Sequence, residues 1–268
     1  MGLIDKSRIA SNNHLIRGAI LMYWSIFWLF NILDKVIGGS HYLWVGRDRF
    51  AQFQKYFASA GLDAPIIADA SLIVAAGLEV FAFVFMTGAL AYFLKSKKGE
   101  ARSWFLIGVC FTLATFTIFS FGDHLFGDRF ELLEHTLFWF MTLASWVIFN
   151  RLEQPSDAVK EGFNRRQTLT AAVVAGALIL TTSFSIFNYN EHFFFRRTSP
   201  IVAEPVGEDL FKVSFPFLGG STVFEKTIEQ FMEAHPSKRI DHIYTVPNPL
   251  RLKKADALIF YIITEEKP

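Results

Sequence analysis

The chain has 268 residues, a formal net charge of +1, 52% hydrophobic residues and 19% charged ones. A soluble domain carries roughly a quarter charged residues, and here the missing charge is absent from discrete windows that read as membrane spans. The near-zero net charge gives no global field favouring nucleic acid, and the single cysteine, Cys110, excludes internal disulfides and CxxC redox or zinc motifs.

Residues 1–14 are polar, and the apolar stretch behind them lacks a small-residue cleavage pattern, so it reads as a retained helix rather than a signal peptide. Crossing the hydrocarbon core takes about 20 apolar residues. Residues 15–33, 66–94, 103–121, 132–150 and 168–188 meet this; none contains proline, and none alternates as a barrel strand does. The 31 Phe and 6 Trp suit a surface facing a lipid bilayer. Cys110, in the third window, is expected to be a buried, inert thiol.

Basic residues set the expected orientation. The N-terminal segment carries Lys6, Arg8 and Arg17; Lys95, Lys97, Lys98 and Arg102 lie between spans two and three; Arg151, Lys160, Arg165 and Arg166 lie between spans four and five. The turn between spans three and four carries Arg129 among acids. The N-terminus is therefore expected in the cytoplasm and the C-terminus outside. In the first outer link, Phe50, Phe53 and Phe57 recur at helical spacing, as in a helix lying in the interface plane or an ordinary loop helix, with Tyr42 and Trp44 as headgroup anchors.

From residue 189 the composition is that of a water-soluble module. NEHFFFRRTSPIVAEP reads as an interfacial exit and an extended linker, and LFKVSFPF as a strand. Thr222 and Glu225 match a capping box, Phe224, Ile228 and Phe231 form an apolar helical stripe, and Pro236 follows its end. RIDHIYTV and ALIFYIIT are further strands, and His235 and His242 are expected at the surface. The expected fold is an all-α membrane bundle of about five transmembrane helices with a small C-terminal α+β domain on the outer side. The segments are 1–14 (cytoplasmic), 15–150 (four-helix bundle), 151–188 (cytoplasmic link and fifth helix) and 189–268 (outer domain).

Ionisable residues inside a bilayer cost about 2.5–3.5 kcal/mol each on insertion scales. Glu79 lies roughly 20 Å along the second span, either as a carboxyl locking the bundle or as a proton relay. Asp34 and Lys35 close the first span; Asp123 and His124 close the third; Asp128, Glu131, Glu134 and His135 open the fourth. His124, His135, Glu131 and Asp123 are candidate ligands for a transition metal, against the alternative of a salt-bridge network closing the bundle. Asp34, Lys35 and Glu79 are the candidate catalytic residues. No GxGxxG, Walker, GxSxG, HExxH or CxxCH pattern occurs.

Arg17 opening the first helix, Asp34-Lys35 closing it, FASAGL at 57–62, and GLE at 77–79 followed by Gly88 resemble the DoxX/DoxD/MauE group of four-helix bacterial membrane proteins. The resemblance covers residues 15–150; the long first outer loop, the fifth helix and the outer domain depart from it. It implies membrane redox work in a bacterial inner membrane. Two functions follow as expectations: an accessory or structural subunit of a membrane redox complex with other membrane or periplasmic subunits, or a quinone-linked oxidoreductase in which Glu79, Asp34, His124 and His135 handle protons. A small-solute carrier ranks third, since only Glu79 and Asp69 would line a polar path.

Overall fold

The computed structural model describes residues 3–42, 47–62, 64–152, 163–215, 221–247 and 258–267; the side chains of 3–10, 41–42, 47–48, 51, 191–198, 221–222, 247 and 258 lie outside that set. Trp44 and Lys160, and the side chains of Tyr42 and Thr222, are thus outside the described residues, as is the capping box expected of Thr222. The long helices are α1 (Leu3–Gly38), α3 (Pro65–Leu94), α4 (Lys98–Phe126), α5 (Arg129–Arg151) and α6 (Arg165–Thr198), with α2 (Arg49–Ser59) between α1 and α3. Each of the five long ones contains a stretch long and apolar enough to cross a membrane. Large apolar side chains such as Phe121, Leu180 and Phe184 stand on their exposed faces, which suits a lipid bilayer.

Helices α1, α4, α5 and α6 outrun their apolar windows at both ends, because their polar flanks continue the helix without a proline to stop it, whereas α3 keeps to its window. The expected interfacial exit and linker is corrected in the same way. NEHFFFRRT belongs to α6, which runs to Thr198 and stops just short of Pro200.

The chain forms two compact units, Met1–Val36 with Ile73–Phe184 and Ile37–Leu72 with Ser185–Pro268. In the first, Trp24, Trp28, Met86, Phe105 and Phe149 lie in an apolar core. Buried indoles need partners for their N–H groups. Trp24 Nε1 donates to Ser145 Oγ at 3.1 Å, and Trp28 Nε1 to Thr112 Oγ1 at 3.1 Å. Helices α4 and α5 form a tight hairpin. Gly127 takes φ +78°, its N–H donates to Asp123 O, and Asp128 caps α5 by accepting from Glu131 N–H at 3.1 Å.

Cys110 is exposed on α4, contrary to the expectation of burial. The buried face of that helix carries Trp104, Phe105, Gly108, Val109 and Thr112, and Cys110 falls outside that stripe. Helices α3 and α4 touch through a residue with no side chain: a Cβ on Gly88 would run into the Trp104 ring. Gly88→Ala should therefore force the indole aside and destabilise the protein by about 1–3 kcal/mol. A lowered melting temperature in mild detergent checks this, and an unchanged one would refute the contact.

In the second unit, β1 (His41–Tyr42) and β2 (Arg47–Asp48) pair antiparallel just before α2, on which Phe50 is buried. The C-terminal part carries β3 (Glu204–Pro205), β4 (Leu210–Phe215), α7 (Ser221–Ala234), β5 (Lys238–Pro247) and β6 (Leu258–Glu266), in an antiparallel sheet of order β3-β4-β6-β5. Strands β4, β5 and β6 and helix α7 fall where the pattern predicts them, whereas β3 lies in the segment read as an extended linker. Strand β4 buries Phe211, Val213 and Phe215 on one face, and in the ladder Val213 stands opposite Phe260 and Phe211 opposite Ile262. The apolar stripe of α7 is turned from the expected one, with Val223, Thr227 and Phe231 innermost and Phe224 and Ile228 half-buried. Thr227 tolerates burial because its hydroxyl donates to Val223 O at 2.7 Å and accepts from Ile201 N–H at 3.0 Å.

His242 is exposed beside Asp241, as expected. His235, in contrast, is half-buried against the Phe211 and Phe231 rings, at centroid distances of 4.8 and 4.5 Å. At the exposed end of the sheet the hydrogen bond from Lys238 to the Asp209 carboxylate, 2.7 Å, pushes the ammonium pKa above its ordinary value. Lys238 therefore stays charged across the physiological range.

Candidate functional site

Of the ionisable residues singled out, Asp34, Lys35, Glu79, Asp123 and Glu131 are buried within the first unit, and the structure shows what several of them meet. Lys35 lies in the last turn of α1, where a cation also suits the negative end of the helix dipole. Its Nζ donates to Glu79 Oε2 of α3, and the two residues are 3% and 2% exposed. Glu79 stands about 21 Å along α3 from Pro65. Counting depth along each helix separately therefore hid this pair, since one member is near a helix end and the other in mid-helix. Asp34 is buried beside Lys35 in the chain.

The α4–α5 hairpin makes the second pair. His135 Nδ1 lies 2.5 Å from Asp123 Oδ2, and the imidazole rests against Phe116 and Phe119 at 5.9 and 5.1 Å. Glu131, one turn earlier on α5, is buried. His124 is exposed on α4 and does not join Asp123 and His135. Among the described residues no group of three or more His, Cys, Asp or Glu side chains is placed to hold a metal ion. The expected His124, His135, Glu131 and Asp123 set thus resolves into a His135–Asp123 pair. Asp123 and His124 are adjacent on one helix, so their side chains point about 100° apart.

Arg17 supplies a further buried charge, 3% exposed. Its guanidinium lies over the Phe149 ring at 4.2 Å and near Phe93 at 5.7 Å from the centroid. A cation over an aromatic face is attracted by the ring quadrupole, and the attraction grows when water is excluded. Its role as an aromatic-clasped cation was not legible, because the rings come from α3 and α5 rather than from neighbouring sequence.

The chemistry available here is ion pairing and hydrogen bonding in an apolar interior, with one carboxylate–imidazole pair able to hold or move a proton. No protein-family model matches the chain, and comparison with curated proteins and with solved structures finds no match. The class is thus defined by the fold alone, five membrane-capable helices with a small antiparallel sheet at the C-terminal end.

Proposed function

We propose that this chain is an integral subunit of a bacterial membrane redox assembly, with an accessory or structural role. Its five apolar helices would cross the cytoplasmic membrane, with the N-terminus inside and the C-terminal sheet on the outer side. The observation that carries this reading joins the resemblance to the packing. Arg17, Lys35, Glu79 and Gly88, which are among the residues that carry the likeness to the DoxX/DoxD/MauE group, each stand at an interhelical contact of the bundle. Lys35 and Glu79 are directed at each other, so their charges lock helices together. The sidedness rests on the basic connectors at the expected inner ends.

Mild solubilisation followed by mass measurement of the intact assembly tests the proposal. Recovery with stoichiometric membrane or periplasmic partners is the expected result. A chain that purifies alone and reduces or oxidises quinone without partners would overturn it. Protease treatment of intact spheroplasts should remove the C-terminal module, and a protected module would reverse the orientation.

One observation favours the quinone-linked reading, namely the half-buried His135 on the Asp123 carboxylate, an arrangement that suits proton transfer beside a reducible headgroup. On that reading Glu79→Gln and His135→Ala abolish turnover. Full turnover in both would remove it.

A further inference from the structure

In the unit formed by Ile37–Leu72 and Ser185–Pro268, the start of α3 and the last turns of α6 share a polar site that the function proposed above does not use. Asp69 and Asn190 are 9% and 2% exposed. Asn190 Nδ2 donates to Asp69 Oδ1 at 2.6 Å. Among the described residues this amide is the partner of the carboxylate, and no cation faces it. The remaining polar atom of Asn190, Oδ1, is buried without a donor. Nδ2 is committed to Asp69, so Oδ1 is the polar atom that this amide leaves over.

A second unpartnered oxygen belongs to Ser40, which is 2% exposed and whose Oγ has no hydrogen bond among the described residues. Gly39 brings it to this region. The glycine adopts φ +63°, and a Cβ there would lie 2.5 Å from Tyr189 Cβ and 2.8 Å from Ser185 O. The end of α1 thus lies hard against the turn of α6 that precedes Asn190.

We propose that Asp69, Asn190 and Ser40 form a binding site for a small monovalent cation of the sodium type. A buried carboxylate without a counter-charge is costly, and a hydrogen bond from a neutral amide reduces the charge without cancelling it. Carboxylate, amide carbonyl and hydroxyl are hard oxygen donors, which suit hard cations rather than transition metals. One positive charge neutralises the site, whereas a divalent ion would leave an excess charge in apolar surroundings. A proton on Asp69 would neutralise the carboxylate but leave Asn190 Oδ1 and Ser40 Oγ without a shared positive partner. A bound cation answers all three oxygens.

The full chain in mild detergent, melted at fixed pH and ionic strength while sodium chloride replaces choline chloride, provides the test. The wild type should gain about 3 °C or more at saturating sodium. Asp69→Asn, which keeps the shape and removes the charge, should lose that gain. Ser40→Ala, a milder change, should raise the sodium midpoint about ten-fold, and it decides the matter if Asp69→Asn does not fold. Equal melting in sodium and choline, a gain given by calcium but not by sodium, or an undiminished sodium gain in Asp69→Asn would each overturn the site. So would an unshifted midpoint in Ser40→Ala.

Discussion

Lys35→Met should lower the stability of the helical bundle by about 3–5 kcal/mol, because it leaves the Glu79 carboxylate buried without its cation. Glu79 is 2% exposed and is met by Lys35 Nζ from α1. Removing one partner of a buried pair costs more than the pair itself contributes, since the survivor retains its desolvation penalty. The companion variant separates the pair from its context. Lys35→Met combined with Glu79→Leu removes both charges and keeps comparable volume, so it should recover most of the loss. Melting in detergent reads both, with the single variant expected about 10 °C below wild type. A single variant that melts with the wild type would show that the ammonium does not hold α1 to α3. A double variant as weak as the single one would mean that Lys35 stabilises through contacts other than Glu79.

The long helices were legible because their signal is local. A run of apolar residues long enough to span a bilayer needs no knowledge of its neighbours, and α3, α4 and α5 begin and end within a turn or two of their windows. The strands of the sheet were legible for the same reason, since the alternation in LFKVSF becomes alternate burial along β4. What the sequence left open was pairing. Lys35 and Glu79 were both singled out, but nothing in their spacing joins a helix end to a mid-helix position. His124 and His135 looked equivalent by type, yet helical periodicity turns His124 outward while Asp123 faces His135. Asn190, within the segment taken as an exit from the membrane, gave no signal beyond being an amide. Its significance comes from Asp69, whose carboxylate it meets from a distant part of the chain.

The second large effect belongs to the sheet. Phe215→Ala should unfold the C-terminal α/β module while leaving the helical bundle intact. Phe215 is fully buried, with the Phe224 and Phe260 rings 4.6 and 4.7 Å from its own and edge-on to it, and those two rings are themselves 5.1 Å apart. Truncating such a residue costs about 3–5 kcal/mol, from lost apolar burial and from the cavity left behind. A core of this size, one short helix over a four-stranded sheet, holds little in reserve, so that loss is comparable to the whole stability of the module. Tyr244→Ala serves as the control, because Tyr244 stands 55% exposed on β5 and should change stability by no more than about 0.5 kcal/mol. Limited proteolysis of the full chain in detergent distinguishes the two. Phe215→Ala should expose the residues beyond α6 to rapid cleavage while the bundle fragment survives, and Tyr244→Ala should cleave as slowly as the wild type. If Phe215→Ala is as resistant as the control, the three-ring cluster is not what holds α7 to the sheet.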